Sequence, residues 1–350
     1  MSTLADRFRR HGEQLSGLYA RLLPAMAADW EAGGVVRLIC RGWEDAGEGA
    51  LVQLRLLAGL HRIVLTGRAP ELARFYPNLG GEDDPARAWP LVRTVLEANA
   101  DELYEALAVA PQTNEPGRSV ALLVGLFEAV RRSGLSRVRL LEPGASAGLN
   151  LLVDRFRITG AAPEPWSYGP AGSPLVLGEA VDGPVRPVPF EIVSRRGCDL
   201  SPVDPTSADG QLRLISFVWP HQLERHARLR AALQIAAVDP PVVDRSPAAR
   251  WLTEQLHTAA DPEVLTVVWQ SVTRLYWPAQ EVSAVEAAIA AAADRFPIAQ
   301  IAMEAAAGAR EPVSELTVAL GRPGELLTRW RLGAVADHGI PVTLSDADPA

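Results

Sequence analysis

The chain has 350 residues, 48% hydrophobic and 22% charged, with a mean hydropathy near zero, an ordinary globular composition that excludes collagen-like and disordered chains. All 34 basic residues are arginine, which excludes lysine Schiff-base chemistry and the lysine of a P-loop, and the net charge of -8 with arginines spread along the chain argues against nucleic acid as a partner. No stretch approaches the roughly 20 apolar residues that cross a bilayer, so no membrane partner is expected.

The charged segment from Met1 to Gly12 lacks the apolar core and cleavage site of a secretory signal, and a cytoplasmic location is expected. Two cysteines, Cys40 and Cys198, are too few for a disulfide framework or a cysteine zinc site and read as free thiols. From Leu4 to about Ala110 the apolar spacing is helical, in Leu15, Leu18, Leu22 and again in Leu51, Leu54, Leu57, Leu60. Val35 to Cys40, flanked by Gly33, Gly34 and Gly42, reads equally as a short strand or a buried turn. An acidic first turn at Asp83-Asp84-Pro85 opens a helix toward Leu107, and Pro111 ends this region.

After Pro111 strands alternate with helices, the pattern of a parallel sheet covered on both faces. Helix Ser119 to Arg132 leads into a strand from Arg137 to Leu141, another helix opens near Ala147, and later helices are expected at His221 to Leu233, Pro247 to His257 and Ala279 to Arg295. Further strands are expected at Leu212 to Trp219, Val242 to Asp244, Val264 to Gln270 and Ile298 to Glu304, giving five parallel strands. A closing antiparallel hairpin joins Leu316 to Leu320 and Leu327 to Val335 across Gly321-Arg322-Pro323-Gly324. The Pro- and Gly-rich stretch at about 158–195 reads as an insertion. Two domains follow: a helical region over 1–110, lid or substrate region, and an α/β domain over 111–350.

The most informative segment is Glu142-Pro-Gly144-Ala145-Ser146-Ala-Gly148-Leu-Asn150, a small-residue turn between a strand and a helix, whose backbone a ligand can approach closely. Pro143 favours extended backbone at Glu142, which sets the carboxylate at the carboxyl end of the strand. The dinucleotide fingerprint is disfavoured, because Ser146 and Leu149 stand where it needs its second and third glycines. Gly144-Ala-Ser146-Ala-Gly148 also reads as the G-x-S-x-G nucleophile elbow of a serine hydrolase, with His338 as candidate base, although a mainly helical region precedes it instead of the usual strands. A strand-to-helix turn with no ligand is the remaining alternative.

Helix Ser119 to Arg132 runs back antiparallel to the next strand, which returns Gln112 to Arg118 toward Gly144. Asn114 and Glu115 suit both a ligand edge and a helix cap. Trp219-Pro-His221, Asp244, Ser271 to Tyr276 and Glu304 fall at the same edge. Asp199, Asp204 and Asp209 have a spacing that fits no compact cation loop, so no metal is expected.

Glu142, Gly144, Ser146 and Gly148 resemble motif I of class I S-adenosylmethionine-dependent methyltransferases. More of the chain resembles a bacterial family, the domain of unknown function 2332, in His61 with Gly67 to Pro77, Gln112 to Arg118, Glu142 to Asn150, Arg196 to Asp199, Phe217 to Pro220 and Val268 to Val272. The resemblance implies a Rossmann-like, class I methyltransferase-like sheet of seven strands with a C-terminal antiparallel hairpin. It implies S-adenosylmethionine as cofactor, held by Glu142, Gly144, Ala145, Ser146, Gly148 and Asn150. A ribose ligand is then expected after the second strand, where Trp219 replaces the usual acid and Asp199 offers one, an adenine contact from Asp244, and a further contact from Ser271. Methyl transfer to a small molecule is the leading expectation, with Asn114, Glu115, His221 and Tyr276 as residues that orient or deprotonate the acceptor. The rivals are a serine hydrolase using Ser146 and a non-catalytic adenosyl-ligand binder.

Overall fold

The computed structural model describes residues 3–112, 114–160, 165–257, 261–305 and 313–349. It divides into two compact units, Met1–Thr113 with Ser207–Ala227, and Asn114–Thr206 with Arg228–Ala350.

Helix α1 (Leu4–Glu13) opens with a capping box in which Asp6 N donates to Thr3 Oγ1 at 3.1 Å and Thr3 N donates to Asp6 Oδ2 at 2.9 Å. With α2 (Gly17–Glu31), α3 (Val35–Ile39) and α4 (Val52–Leu65) it buries Phe8, Leu22, Met26, Ile39 and Leu56 in one core. Val35 to Ile39 is helical despite its two valines because Asp29, seven residues before Val36, accepts from Val36 N at 2.9 Å and satisfies the new helix start. Short α5 (Pro70–Ala73) follows. The long helix expected toward Leu107 is two, α6 (Trp89–Ala98) and α7 (Ala100–Ala106), parted at Asn99, whose side chain donates to Val95 O at 2.8 Å.

His61 lies fully buried in the middle of α4. Its Nδ1 faces Ser216 O at 3.1 Å and must donate there, which leaves Nε2 to accept from Asn78 Nδ2 at 3.0 Å, while Tyr76 stacks on the ring at 5.2 Å. Burial pushes this imidazole down to about 3, so it is neutral.

The second unit begins with α8 (Ser119–Ser133), closed by Gly134 in the left-handed region at φ 69, and β1 (Arg137–Pro143). After a 3-10 turn at Leu149–Arg155, β2 (Arg157–Gly160), β3 (Trp166–Tyr168) and β4 (Val176–Leu177) form a small sheet of order β3-β2-β4. β5 (Val181–Asp182) and β6 (Glu191–Asp199) belong to the main sheet. The chain then contributes α9 (Ala208–Ser216) to the first unit and continues through α10 (Leu223–Val238), β7 (Val243–Arg245), α11 (Ala248–His257), β8 (Val264–Ser271), α12 (Ala279–Ala293) and β9 (Ile298–Ala305). Strands β10 (Val313–Gly321), β11 (Thr328–Ala336) and β12 (Val342–Pro349) complete a nine-stranded sheet of order β5-β12-β11-β10-β9-β8-β1-β6-β7.

β7, β6, β1, β8 and β9 are parallel, and β10, β11 and β12 continue them as an antiparallel meander. Every residue of β8 is buried, as a central strand covered on both faces requires. Helix α8 lies close on this sheet because Gly125 leaves room: a Cβ there would stand 2.4 Å from Ile301 Cγ2. Gly125→Val is expected to destabilise the protein by about 1–3 kcal/mol through overpacking, read by chemical denaturation, and an unchanged midpoint would contradict this contact.

Four expectations are corrected. The second parallel strand is β6, and Leu212 to Ser216 is the second half of helix α9, which starts where Ser207 Oγ accepts from Gly210 N at 3.0 Å and ends at Phe217, so Trp219 lies past its end. The insertion therefore ends before Glu191 and contains the small sheet and edge strand β5. The helix expected near Ala147 is only the 3-10 turn, and among the described residues the sheet has nine strands where seven were expected.

Candidate functional site

The strand order turns back at β1, which has β6 on one side and β8 on the other. Open α/β sheets bind ligands at the carboxyl ends of the strands at such a switch point. Glu142 and the glycine turn leave β1 there, and Ser271 to Trp277 leaves β8 beside them.

The turn is held by named donors. Gly144 N and Ala145 N both donate to Cys198 O, at 2.8 and 2.9 Å, and Ser146 N donates to Asp199 Oδ2 at 3.0 Å. Asp199 Oδ1 accepts from Ser201 N at 2.8 Å, and Leu149 N donates to Asn114 Oδ1 at 2.8 Å. Three successive alternate positions are left-handed: Gly144 at φ 82, Ser146 at φ 55 and Gly148 at φ 74. For Ser146 this is a strained conformation of the kind that collects at functional sites. The turn rests on the end of β6 because Gly197 has no side chain; a Cβ there would stand 2.6 Å from Ala145 Cβ.

Glu142 is 3% exposed. Burial pushes its carboxyl up to about 8, Asp199 adds to that, and Asn150, Arg118 and Trp269 beside it oppose it. At neutral pH it is a buried carboxylic acid, able both to donate and to accept. Ser119 Oγ donates to Asn150 Oδ1 at 2.8 Å, which fixes Asn150 against the start of α8. Glu142 Oε2, Ser146 Oγ and Trp269 Nε1 are buried without a hydrogen-bond partner of good geometry. Trp269 lies beside Glu142, so the group at the turn with no protein neighbour to bond is the Ser146 hydroxyl, where a polar ligand would complete the bonding.

The front of the turn is occupied by Thr273, whose Cγ2 would stand 2.6 Å from a Cβ at Gly144, with Trp277 at 3.8 Å. Thr273 N and Oγ1 donate to Glu304 Oε1 at 3.0 and 2.9 Å, and Arg274 N donates to Glu304 Oε2 at 3.3 Å. Val272, directly before, is a β-branched residue at φ 54, a costly conformation that the surrounding bonds impose. Beyond it Leu275 and Tyr276 are 71% and 52% exposed. Arg118 Nη1 holds Ser271 O at 3.3 Å.

The remaining expected site residues divide by unit. Asn114 and Glu115 are at the turn's edge in the second unit, Asn114 bonded to Leu149 and Glu115 accepting from Gly117 N at 3.1 Å and Arg228 Nε at 3.2 Å. Asp244 faces Arg196 through two bonds, 2.6 and 2.8 Å, accepts from Trp251 Nε1 at 2.7 Å, and is held below the usual carboxylate range first by Arg196. Trp219 and His221 belong to the first unit, their rings 6.0 Å apart, with Trp219 packed on the helical core. Sequence reasoning missed Thr273 as the residue in front of Gly144, and Trp269; a single tryptophan beside the polar Gln270 in a buried strand was the available signal for the latter.

Among the described residues no three His, Cys, Asp or Glu side chains gather as a metal site, and no helix is long and apolar enough to cross a membrane. The architecture is thus a doubly wound α/β unit, continued by an antiparallel meander, with a strained glycine turn at its switch point. The family model for uncharacterized proteins conserved in bacteria, DUF2332, matches residues 5–343, and the chain belongs to that family. No curated protein and no solved structure matches it.

Proposed function

We propose that the glycine turn binds S-adenosylmethionine and that the protein transfers its methyl group to a small molecule. The observation that carries this reading is the turn itself: an acid ending the central strand, residues in the left-handed region at alternate positions, and a buried Ser146 hydroxyl without a partner. Asp199 also ends the strand next to β1, the position from which the methyltransferase resemblance expects a ribose ligand. Its two oxygens serve Ser146 N and Ser201 N, so its first role is to hold the turn.

When bound, the cofactor supplies a methyl group on a sulfonium, open to in-line displacement. The chain's own residues bind, align and exclude water. Glu142, Ser146 and Asn150 face the turn; the protonated Glu142 donates or accepts as the ligand requires. Asn114 and Glu115 are committed to protein partners and position the turn and the start of α8, acting through Leu149 and Gly117. Tyr276, exposed after β8, is the residue of the second unit left to meet an acceptor. Partial desolvation holds its phenol above the usual tyrosine range, against Arg118, so it keeps its proton and meets an acceptor as a hydrogen-bond donor.

Entry requires Thr273 to withdraw from Gly144. Thr273→Ala removes the methyl that faces the glycine, and binding of S-adenosylhomocysteine measured by calorimetry is expected to be about tenfold tighter than in the wild type. Absence of saturable binding by both proteins would overturn the adenosyl reading, and equal affinities would show that Thr273 does not obstruct the site.

One observation favours the hydrolase reading: Ser146, at the centre of G-x-S-x-G, has φ 55, the strained turn of a nucleophile elbow. Its Oγ has no partner, so no imidazole, that of His338 included, is bonded to it. Irreversible labelling of Ser146 by a fluorophosphonate would support a hydrolase, and no labelling would end it.

A further inference from the structure

A second concave surface lies at the opposite edge of the main sheet, where α8 ends. Nine strands make a sheet wider than one helix of about 10–12 Å diameter can cover, and α8 packs on β8, β9 and β10. β5 sits at the far edge and β6 beside β1, so residues 183–190 must return across the face between them. Seven strand spacings of about 4.8 Å make about 34 Å across a flat sheet, less across a twisted one, and the nine Cα steps from Asp182 to Glu191 reach about 32 Å at full stretch, so the strap runs nearly taut. Pro184, Pro187 and Pro189 suit that extended path, and Phe190 anchors its end against Phe127 of α8, ring centroids 6.0 Å apart.

Strap, α8 and the outer strands enclose a groove of about 300 Å³. Phe127, Leu332 and Leu344 give it apolar walls. Its charged lining is three arginines, Arg131, Arg132 and Arg186, against one acid, Glu128. Glu128 pairs with both helix arginines, with Arg131 Nη2 at 2.7 Å, and Arg132 also lies over the Trp330 ring at 3.8 Å. Arg186, on the strap, has no ion pair or hydrogen bond among the described residues. An excess of positive charge beside an apolar wall is complementary to one chemistry.

We propose that this groove is a second binding site, for a small organic anion whose carboxylate meets Arg186 and Arg131 and whose apolar body lies on Phe127, Leu332 and Leu344. The volume is at the small end of ligand pockets and admits a medium chain or a single ring system. The inference stands apart from the adenosyl reading, because it uses none of the residues at the carboxyl edge.

Calorimetry of decanoate against the full chain tests it, with decanol as the neutral match and Arg186→Glu as the variant. Arg186 is exposed and unpaired, so the variant is expected to melt as the wild type does. Decanoate is expected to bind saturably to the wild type and at least about tenfold more weakly to Arg186→Glu, with decanol weakened similarly. Failure of decanoate to saturate the wild type, or equal binding by the variant or by decanol, would overturn the proposal.

Discussion

Glu142→Gln is expected to stabilise the protein progressively as pH rises, matching the wild type near pH 4.5 and exceeding it by several kcal/mol at pH 8, at about 1.4 kcal/mol for each pH unit between. The sign follows from linkage. Burial raises the folded-state value of this carboxyl from 4.5 to about 8, so between those limits the unfolded chain is ionised while the folded protein still carries the proton. The folded state binds more protons, and stability falls as pH rises through that window. Glutamine keeps the shape of the protonated acid and cannot ionise. Chemical denaturation at half-unit steps from pH 5 to 8.5 gives the difference directly, and a difference independent of pH would contradict a buried neutral acid at the head of the turn.

His61 has the opposite dependence. Its folded value is about 3 against an ordinary 6.5, so the unfolded chain takes up a proton below pH 6.5 while the buried ring stays neutral. Stability contributed by this neutral ring is present above pH 6.5 and lost as pH falls toward 3, by roughly 1.4 kcal/mol per unit. His61→Ala is expected to cost about 3–5 kcal/mol at pH 7, from the cavity under Tyr76 and from Ser216 O and Asn78 Nδ2 left without the ring. The cost is expected to shrink toward pH 5, and a cost that stayed constant would contradict the depressed value.

Much of the α/β unit was legible because buried parallel strands announce themselves as short apolar runs. β1, β8 and β9 were placed to within a few residues on that signal alone. β6 was not, since Glu191-Ile-Val-Ser-Arg-Arg-Gly-Cys-Asp199 reads as a polar segment. Its arginines are tolerated because their partners are far along the chain: Arg195 bonds Asp154 at 2.6 and 2.8 Å, and Arg196 bonds Asp244. Leu212 to Trp219 erred the other way, an apolar run too short for periodicity to separate strand from helix, with Ser207 and Asp209 as the overlooked cap. That one exchange moved Trp219 and His221 onto the sheet edge and left Asp199 in the wrong strand count.

At the site, the glycine turn and the return of Asn114 toward it were readable from strand-to-helix order and loop length. The capping bond from Gly117 N to Glu115 was readable too, whereas the bonds of Asn114 to Leu149, Glu115 to Arg228 and Asp244 to Arg196 were not, because each is a long-range bond made by folding. Nor could spacing reveal that Thr273 stands in front of Gly144, which depends on the left-handed Val272 and on Glu304 from the neighbouring strand.

The most direct test of the central claim is a hydrogen-exchange footprint of S-adenosylhomocysteine on the full chain. Slower exchange is expected in the peptide covering Glu142 to Asn150, and a changed exchange rate in Ser271 to Trp277, where Thr273 withdraws from Gly144, with residues 183–190 unchanged. Saturating ligand that slows exchange elsewhere, or nowhere, would contradict an adenosyl site at this turn.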